Sequence, residues 1–371
     1  MSIHAIFSTG LLALFLLSFT WDSVWPWLSS QYSITFLTLT FLLAFVDCTS
    51  SVTFLPFMSR VPSQFLISHL IGQALSGLIP SFIALAQGKA SRAIERTLTC
   101  AVVVPTNAHS INLTGVGGDA ECQLINGTSV AQYPEPLFPV QVFFLLLCPV
   151  VILSWLAFVG LTRLGSLFGI DDSAKYETLK GRNGEHASSP SSPSSPGSTF
   201  LLLAIEALCC TFTNGVMPAV QPYSVLSYGN LTYHYAVTLA VICSPIGCLL
   251  TSPLFARRRI VLPSSVAIAG VAAIYIFASA LSSPVPLVDH HLGRFLIVLA
   301  WMLHNLNFAL ARSTITSIFR HEADSHRLLF LGGVFTQLGS FLGAILMFFI
   351  VNQTTIFVSV SPCPVIKAPI K

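Results

Sequence analysis

Charge is what this chain has least of. Of its 371 residues only 8% are Asp, Glu, Lys or Arg, about a third of what a soluble domain carries. So few charges cannot clothe a surface in water, and most of the surface must face something else. With 54% hydrophobic residues and a mean hydropathy of +0.78, the expected surroundings are a lipid bilayer. The net charge of +3 is too small to suggest a nucleic-acid partner. Signatures of bound chemistry are missing too. The nine cysteines contain no CxxC pair and no zinc spacing. There is no P-loop, no GxGxxG after a strand, no HExxH and no GxSxG. These gaps argue against an enzyme, an ATP-driven pump and a nucleotide-binding partner, and no metal or cofactor is expected.

What is present is a series of apolar runs. Nine are long enough to cross a bilayer: 3–20, 33–58, 65–87, 137–162, 199–221, 232–256, 260–282, 293–318 and 328–351. The predicted class is an all-α polytopic membrane protein. The first run lacks a basic leader and a small-residue cleavage site, so it reads as a span rather than a signal peptide. Two segments interrupt the series. Residues 88–136 are polar and hold glycosylation sequons at Asn112 and Asn126. Cys100 and Cys122 flank the middle of that loop and can pair as a disulfide if it faces an oxidising exterior. The other span cysteines read as small buried hydrophobes. Residues 163–198 carry Arg163, Lys175, Lys180 and Arg182 and then SSPSSPSSPGS, a linker that cannot build a core. The linker divides the chain into a four-span bundle (1–162) and a five-span bundle (199–351), followed by a tail (352–371).

Basic residues set the orientation. With the linker in the cytoplasm, cytoplasmic loops hold ten Lys or Arg (Arg60, Arg163, Lys175, Lys180, Arg182, Arg257, Arg258, Arg259, Arg320, Arg327) against six outside. Both sequons then fall outside, where glycosylation occurs. The N-terminus is expected in the cytoplasm and the tail outside.

Ionisable residues inside spans are few: Asp47, Glu206, Arg312, His69, His234 and His304. Each costs roughly 2.5–3.5 kcal/mol on insertion and tends to face a cavity or a partner. Arg312 stands out. It shares the i, i+4, i+8 face with Phe308 and His304, a stripe that reads either as cavity lining or as an arginine snorkelling toward the cytoplasm. Glu206 lies one turn inside its span and is expected to reach the interface. Each histidine reads most simply as a satisfied core residue. In TFTNGVMPAVQP, Gly215, Pro218 and Pro222 interrupt the helical pattern. A broken helix there would offer Thr213, Asn214 and Gln221 to a substrate; the competing reading is a kinked helix with inter-helix hydrogen bonds. Gly72, Ser76 and Pro80 form a packing stripe, beside which Gln73 is the one polar group able to reach a cavity. Asp47, Thr49, Ser50 and Thr53 place an acid and hydroxyls mid-span in DCTSSVT.

Three blocks, CTSSVTFLPFMSRVPSQFL, GQALSGLIPSFIALAQG and TNGVMPAVQPYSVLSYGNLTYHYAVTLA, resemble the eukaryotic riboflavin transporter family of solute carriers in order and spacing. The resemblance runs from residue 5 to residue 351. It implies an eleven-span, major-facilitator-like pair of bundles around a central cavity. It also implies carrier-mediated uptake of riboflavin (vitamin B2) across the plasma membrane, without ATP or sodium. Family members begin with two further spans, the first bearing a motif like GxWVELP; the 3–20 span resembles the family's third. Thr213, Asn214 and Gln221 match the family's TNG…PAVQ block, Gln73 its GQ, and Arg312 a position where relatives carry a basic residue. Asp47 is not general in the family.

The expected substrate-binding set adds Thr49 and Ser50, polar groups at mid-span depth, to these matches: Thr49, Ser50, Gln73, Thr213, Asn214, Gln221 and Arg312. Asn214, Gln73 and Thr213 are expected at the isoalloxazine ring, and Gln221, Thr49 and Ser50 at the ribityl hydroxyls. Two other readings stand beside this one: a non-transporting truncated form, and a surface receptor using the 88–136 loop.

Overall fold

The computed structural model describes residues 3–27, 30–61, 64–87, 99–104, 123–124, 126–132, 137–163, 196–254, 257–282, 285–288 and 290–358. Among them, nine helices are long and apolar enough to cross a membrane, each within a few residues of its expected run. They are α1 (Ile3–Thr20), α2 (Ile34–Phe57), α3 (Gln64–Gln87), α4 (Val140–Arg163), α5 (Pro196–Cys210) continuing into α6 (Met217–Val225), α7 (Asn230–Leu254), α8 (Arg258–Leu281), α9 (His291–His321) and α10 (Ser325–Gln353). Short strands lie outside the spans. The β1–β2 hairpin (Trp25–Trp27, Ser30–Tyr32) joins α1 to α2, and β3 (Thr99–Val104), β4 (Gln123–Leu124) and β5 (Asn126–Gln132) form a small sheet in the polar loop. Asn126 begins β5 and Cys100 lies in β3. Asn112, Cys122, residues 164–195 of the linker and residues 359–371 of the tail lie outside the described residues.

The span holding TNG is not broken. Thr211–Val216 form a single π segment between α5 and α6, and helix continues through Pro218 and Pro222 to Val225. Proline lacks the N–H for a bond one turn back, but Pro218 falls in the first turn after the π segment, where that donor is least missed. A wider turn, rather than a gap, absorbs the interruption.

Within the four-span half, α1 packs on α2 and α4. Within the five-span half, α9 packs on α7 and α8, while α10 runs along α5 and the π segment. Glycine makes that last contact possible. A Cβ at Gly339 would overlap the Ala207 carbonyl, one at Gly343 that of Thr211, and one at Gly215 would stand 2.6 Å from the Gly343 backbone. Small residues let transmembrane helices approach backbone to backbone. The halves meet where α3 packs on α7 and where α10 crosses α2, with a Cβ at Gly333 only 3.0 Å from the Ser51 carbonyl and the Val52 Cα.

Buried apolar residues fall into layers. Toward the loops expected outside, each half has its own cluster. One holds Ala13, Leu17 and Leu39; the other holds Val216, Val220, Ile276, Ile297, Trp301 and Met347. Toward the basic loops a single cluster joins the halves: Leu55, Met58, Val61, Leu66 and Leu70 from one, and Leu203, Cys248, Ile315, Phe319 and Leu329 from the other. On this side Arg320 also donates from Nη2 to the Val61 carbonyl at 2.8 Å, across the junction.

Candidate functional site

Directly above this shared floor lies a polar layer. On α5, Leu203 belongs to the floor and Glu206 follows three residues on; on α9, Ile315 belongs to the floor and Arg312 precedes it by three. Three residues of helix rise about 4.5 Å, so one turn lifts both side chains off the apolar floor to the same depth. There they meet, with Arg312 Nε donating to Glu206 Oε1 at 3.2 Å. Thr336, beside Phe335 on α10, donates its hydroxyl to the same oxygen at 3.1 Å. The Cys210 thiol lies 3.8 Å from it as a weak donor. Three helices thus converge on one carboxylate oxygen.

The network extends outward. Asn214 Nδ2 donates to Ser340 Oγ at 3.0 Å, and Ser340 donates to the Thr336 carbonyl at 2.9 Å. Asn214 and Arg312, singled out independently from the sequence, are therefore connected through Thr336. The Asn214 side chain is exposed. Thr213 is half-buried and bonds back to the Cys209 carbonyl at 2.9 Å. Gln221 lies about two turns farther out, half-buried.

On the facing half, Gln73 is exposed on α3, one residue from Ala74, which packs against the floor. Thr49 donates to the Phe45 carbonyl at 2.8 Å and Ser50 to the Asp47 carbonyl at 2.8 Å. Such bonds to the helix's own carbonyls hold serine and threonine hydroxyls in place and leave their lone pairs for a ligand's donors. Asp47 is exposed. Ser51 sits at the α2–α10 crossing.

Two expectations change. Glu206 does not reach the interface: it is 5% exposed and bound to Arg312. The His304–Phe308–Arg312 stripe divides. His304 is buried with its ring edge-on to Phe308 at 4.7 Å and Nδ1 3.5 Å from the Ala269 carbonyl. Phe308 packs with Cys209 and Ala269. Of the three, Arg312 alone keeps part of its side chain exposed, 25%. His304 and Phe308 pack on apolar and backbone groups of α8 and α5, whereas Arg312 one turn later meets the Glu206 carboxylate of α5, so periodicity alone reads as one face what the neighbours split. Glu206, Thr336 and Ser340 were not among the expected site residues; a lone acid in an apolar run was the only available sign of the first.

The profile of solute carrier family 52, riboflavin transporter, matches residues 1–359. The chain belongs to the riboflavin transporter family. Riboflavin transporter 2 of Salmo salar is 35% identical over 97% of this chain and 82% of its own length. Solute carrier family 52, riboflavin transporter, member 3-B of Danio rerio is 33% identical over 97% and 82%. Member 3 of Homo sapiens is 31% identical over 97% and 83%. No solved structure matches the chain. As a member of the riboflavin transporter family, the chain is a multi-pass membrane protein and not an enzyme, in line with its missing catalytic motifs.

Proposed function

We propose that this chain carries riboflavin across the plasma membrane by alternating access, with the polar layer above the shared floor as its binding site. One observation carries the reading. Among the described residues, the halves share an apolar cluster on the basic-loop side, while their outward clusters are separate. That is the arrangement of a carrier open to the outside, with its cargo site resting on a closed floor. The relatives' names supply the cargo.

The site suits a neutral, planar, hydrogen-bonding solute. Arg312, Asn214 and Gln73 offer donors. Thr49, Ser50 and Thr213 offer acceptor lone pairs, their protons being engaged with their own helices. Passage requires Leu55, Met58 and Val61 to part from Ile315, Phe319 and Leu329 while the outward layers close. Such rocking of one bundle on another is the usual motion of paired-bundle carriers.

Radiolabelled riboflavin uptake by cells expressing the chain tests this, with surface biotinylation to locate it. Saturable uptake that survives sodium replacement is expected. Background uptake at confirmed surface expression overturns the reading.

A further inference from the structure

The Glu206–Arg312 pair is built in an unusual way. Arginine commonly meets a carboxylate through two parallel bonds. Here the contact is single: Nε reaches Oε1, and Oε1 also receives Thr336 and Cys210. Oε2 is buried without a partner. No hydrogen bond from Nη1 or Nη2 is found among the described residues, although the Arg312 side chain is 25% exposed against 5% for Glu206. The guanidinium is held through Nε alone, and its two terminal nitrogens have no hydrogen-bond partner among the described residues.

We infer that Glu206 is a positioning and selectivity residue: it aims the Nη1–Nη2 edge of Arg312 at the cargo while cancelling the arginine's charge. The inference rests on the riboflavin reading above and assigns a role to a residue that does not itself touch cargo. Arginine cannot lose its proton in a protein. Left alone, Arg312 would be a fixed cation in a poorly solvated layer and would favour anions. Paired with Glu206, it keeps its donor geometry but adds no net charge. A donor fork of this kind suits the carbonyl edge of the flavin's pyrimidine ring. A neutral site discriminates against riboflavin 5′-phosphate, which differs from riboflavin mainly by its negative charge.

The test is riboflavin uptake at matched surface levels, with riboflavin 5′-phosphate as competitor. In the wild-type chain the phosphate competes weakly. Glu206→Gln keeps size and hydrogen bonding but frees the arginine's charge. It should make the phosphate a better competitor by roughly tenfold or more, the scale of a unit charge felt across about 12 Å at an effective dielectric near 20. Glu206→Asp should restore discrimination. Arg312→Lys keeps the pair neutral but loses the fork, so KM for riboflavin should rise severalfold while phosphate discrimination stays. If Glu206→Gln fails to reach the surface, the same comparison is made by flavin fluorescence quenching on detergent-solubilised protein.

A Glu206→Gln chain that takes up riboflavin and rejects the phosphate as well as wild type overturns the selectivity role. An unchanged KM in Arg312→Lys overturns the fork. A wild-type chain without riboflavin uptake overturns the transport reading itself, and this inference with it.

Discussion

Arg320 is the sharpest place to test the closed floor. Its Nη2 donates to the Val61 carbonyl at 2.8 Å, joining the end of α9 to the turn after α2. The side chain is 8% exposed, so water replaces this bond poorly in the closed state. A hydrogen bond from a charged donor contributes roughly 1.5–3 kcal/mol. The Nε of Arg320 is buried without a partner, and that desolvation offsets part of the gain. A net contribution of about 2 kcal/mol is therefore assigned to the closed state, a factor of roughly thirty in the balance between closed and open floors.

A native probe exists for the change. Cys248 lies in the floor cluster and is 6% exposed. In Arg320→Ala, a membrane-impermeant maleimide applied to inside-out vesicles should label Cys248 about ten to thirty times faster than in wild type, read by peptide mass spectrometry. When the floor opens and closes faster than the thiol reacts, the labelling rate tracks the open fraction. Right-side-out vesicles should show no such gain. Arg320→Lys, which keeps one donor and loses the fork, should fall between. Labelling of Arg320→Ala within twofold of wild type, in protein that reaches the membrane normally, would falsify the gate.

Further expectations concern packing and the site. Gly339→Val should lower surface abundance and the melting temperature in detergent, because its side chain meets the Ala207 carbonyl and overpacking costs about 1–3 kcal/mol. Asn214→Ala removes one exposed hydrogen bond to Ser340, so its thermal stability should change by less than about 1 kcal/mol while KM for riboflavin rises severalfold; an unchanged KM removes Asn214 from the site. Arg312→Met or Glu206→Leu alone strands the partner's charge and should cost about 3 kcal/mol, the low end for a buried pair because Arg312 keeps a quarter of its exposure. The double variant should cost clearly less than the two singles together in detergent melting curves while still failing to transport, and strict additivity would argue against the pair.

The spans were legible because lipid imposes one solution. A run of about 20 apolar residues in a bilayer has to be helix to satisfy its backbone, so α1 to α10 follow from composition and length. The polar residues were legible for the same reason, since each is costly enough in a membrane to ask for a role. The relations between helices were not. Glu206 and Arg312 are 106 positions apart, and Thr336 is 130 from Glu206. Nothing local says that three spans bring them to one depth. Taken singly, Glu206 lay near enough to a span end to be given to the interface. The π segment was hidden as well, because glycine and two prolines are equally compatible with a break, and the Gly215 contact with Gly343 on α10 lies 128 positions away in sequence.

The division of donors and acceptors says more about the cargo than the count of polar groups does. Hydroxyls on α2 and in the π segment spend their protons on carbonyls of their own helices, so toward a ligand Thr49, Ser50 and Thr213 would act as acceptors. Arg312 can only donate, and it lies in the half opposite Thr49 and Ser50. A solute with hydroxyls at one end and ring carbonyls at the other satisfies both sides at once only when its hydroxyl end lies toward α2 and its ring toward α9. Riboflavin is such a molecule, with a ribityl chain of donors and a pyrimidine edge of acceptors. Reversing it would set acceptor against acceptor at α2 and leave the Arg312 edge facing a chain that neutralises it less well. If the layer is the binding site proposed above, riboflavin is expected to bind with its ribityl chain toward α2 and its ring toward α9.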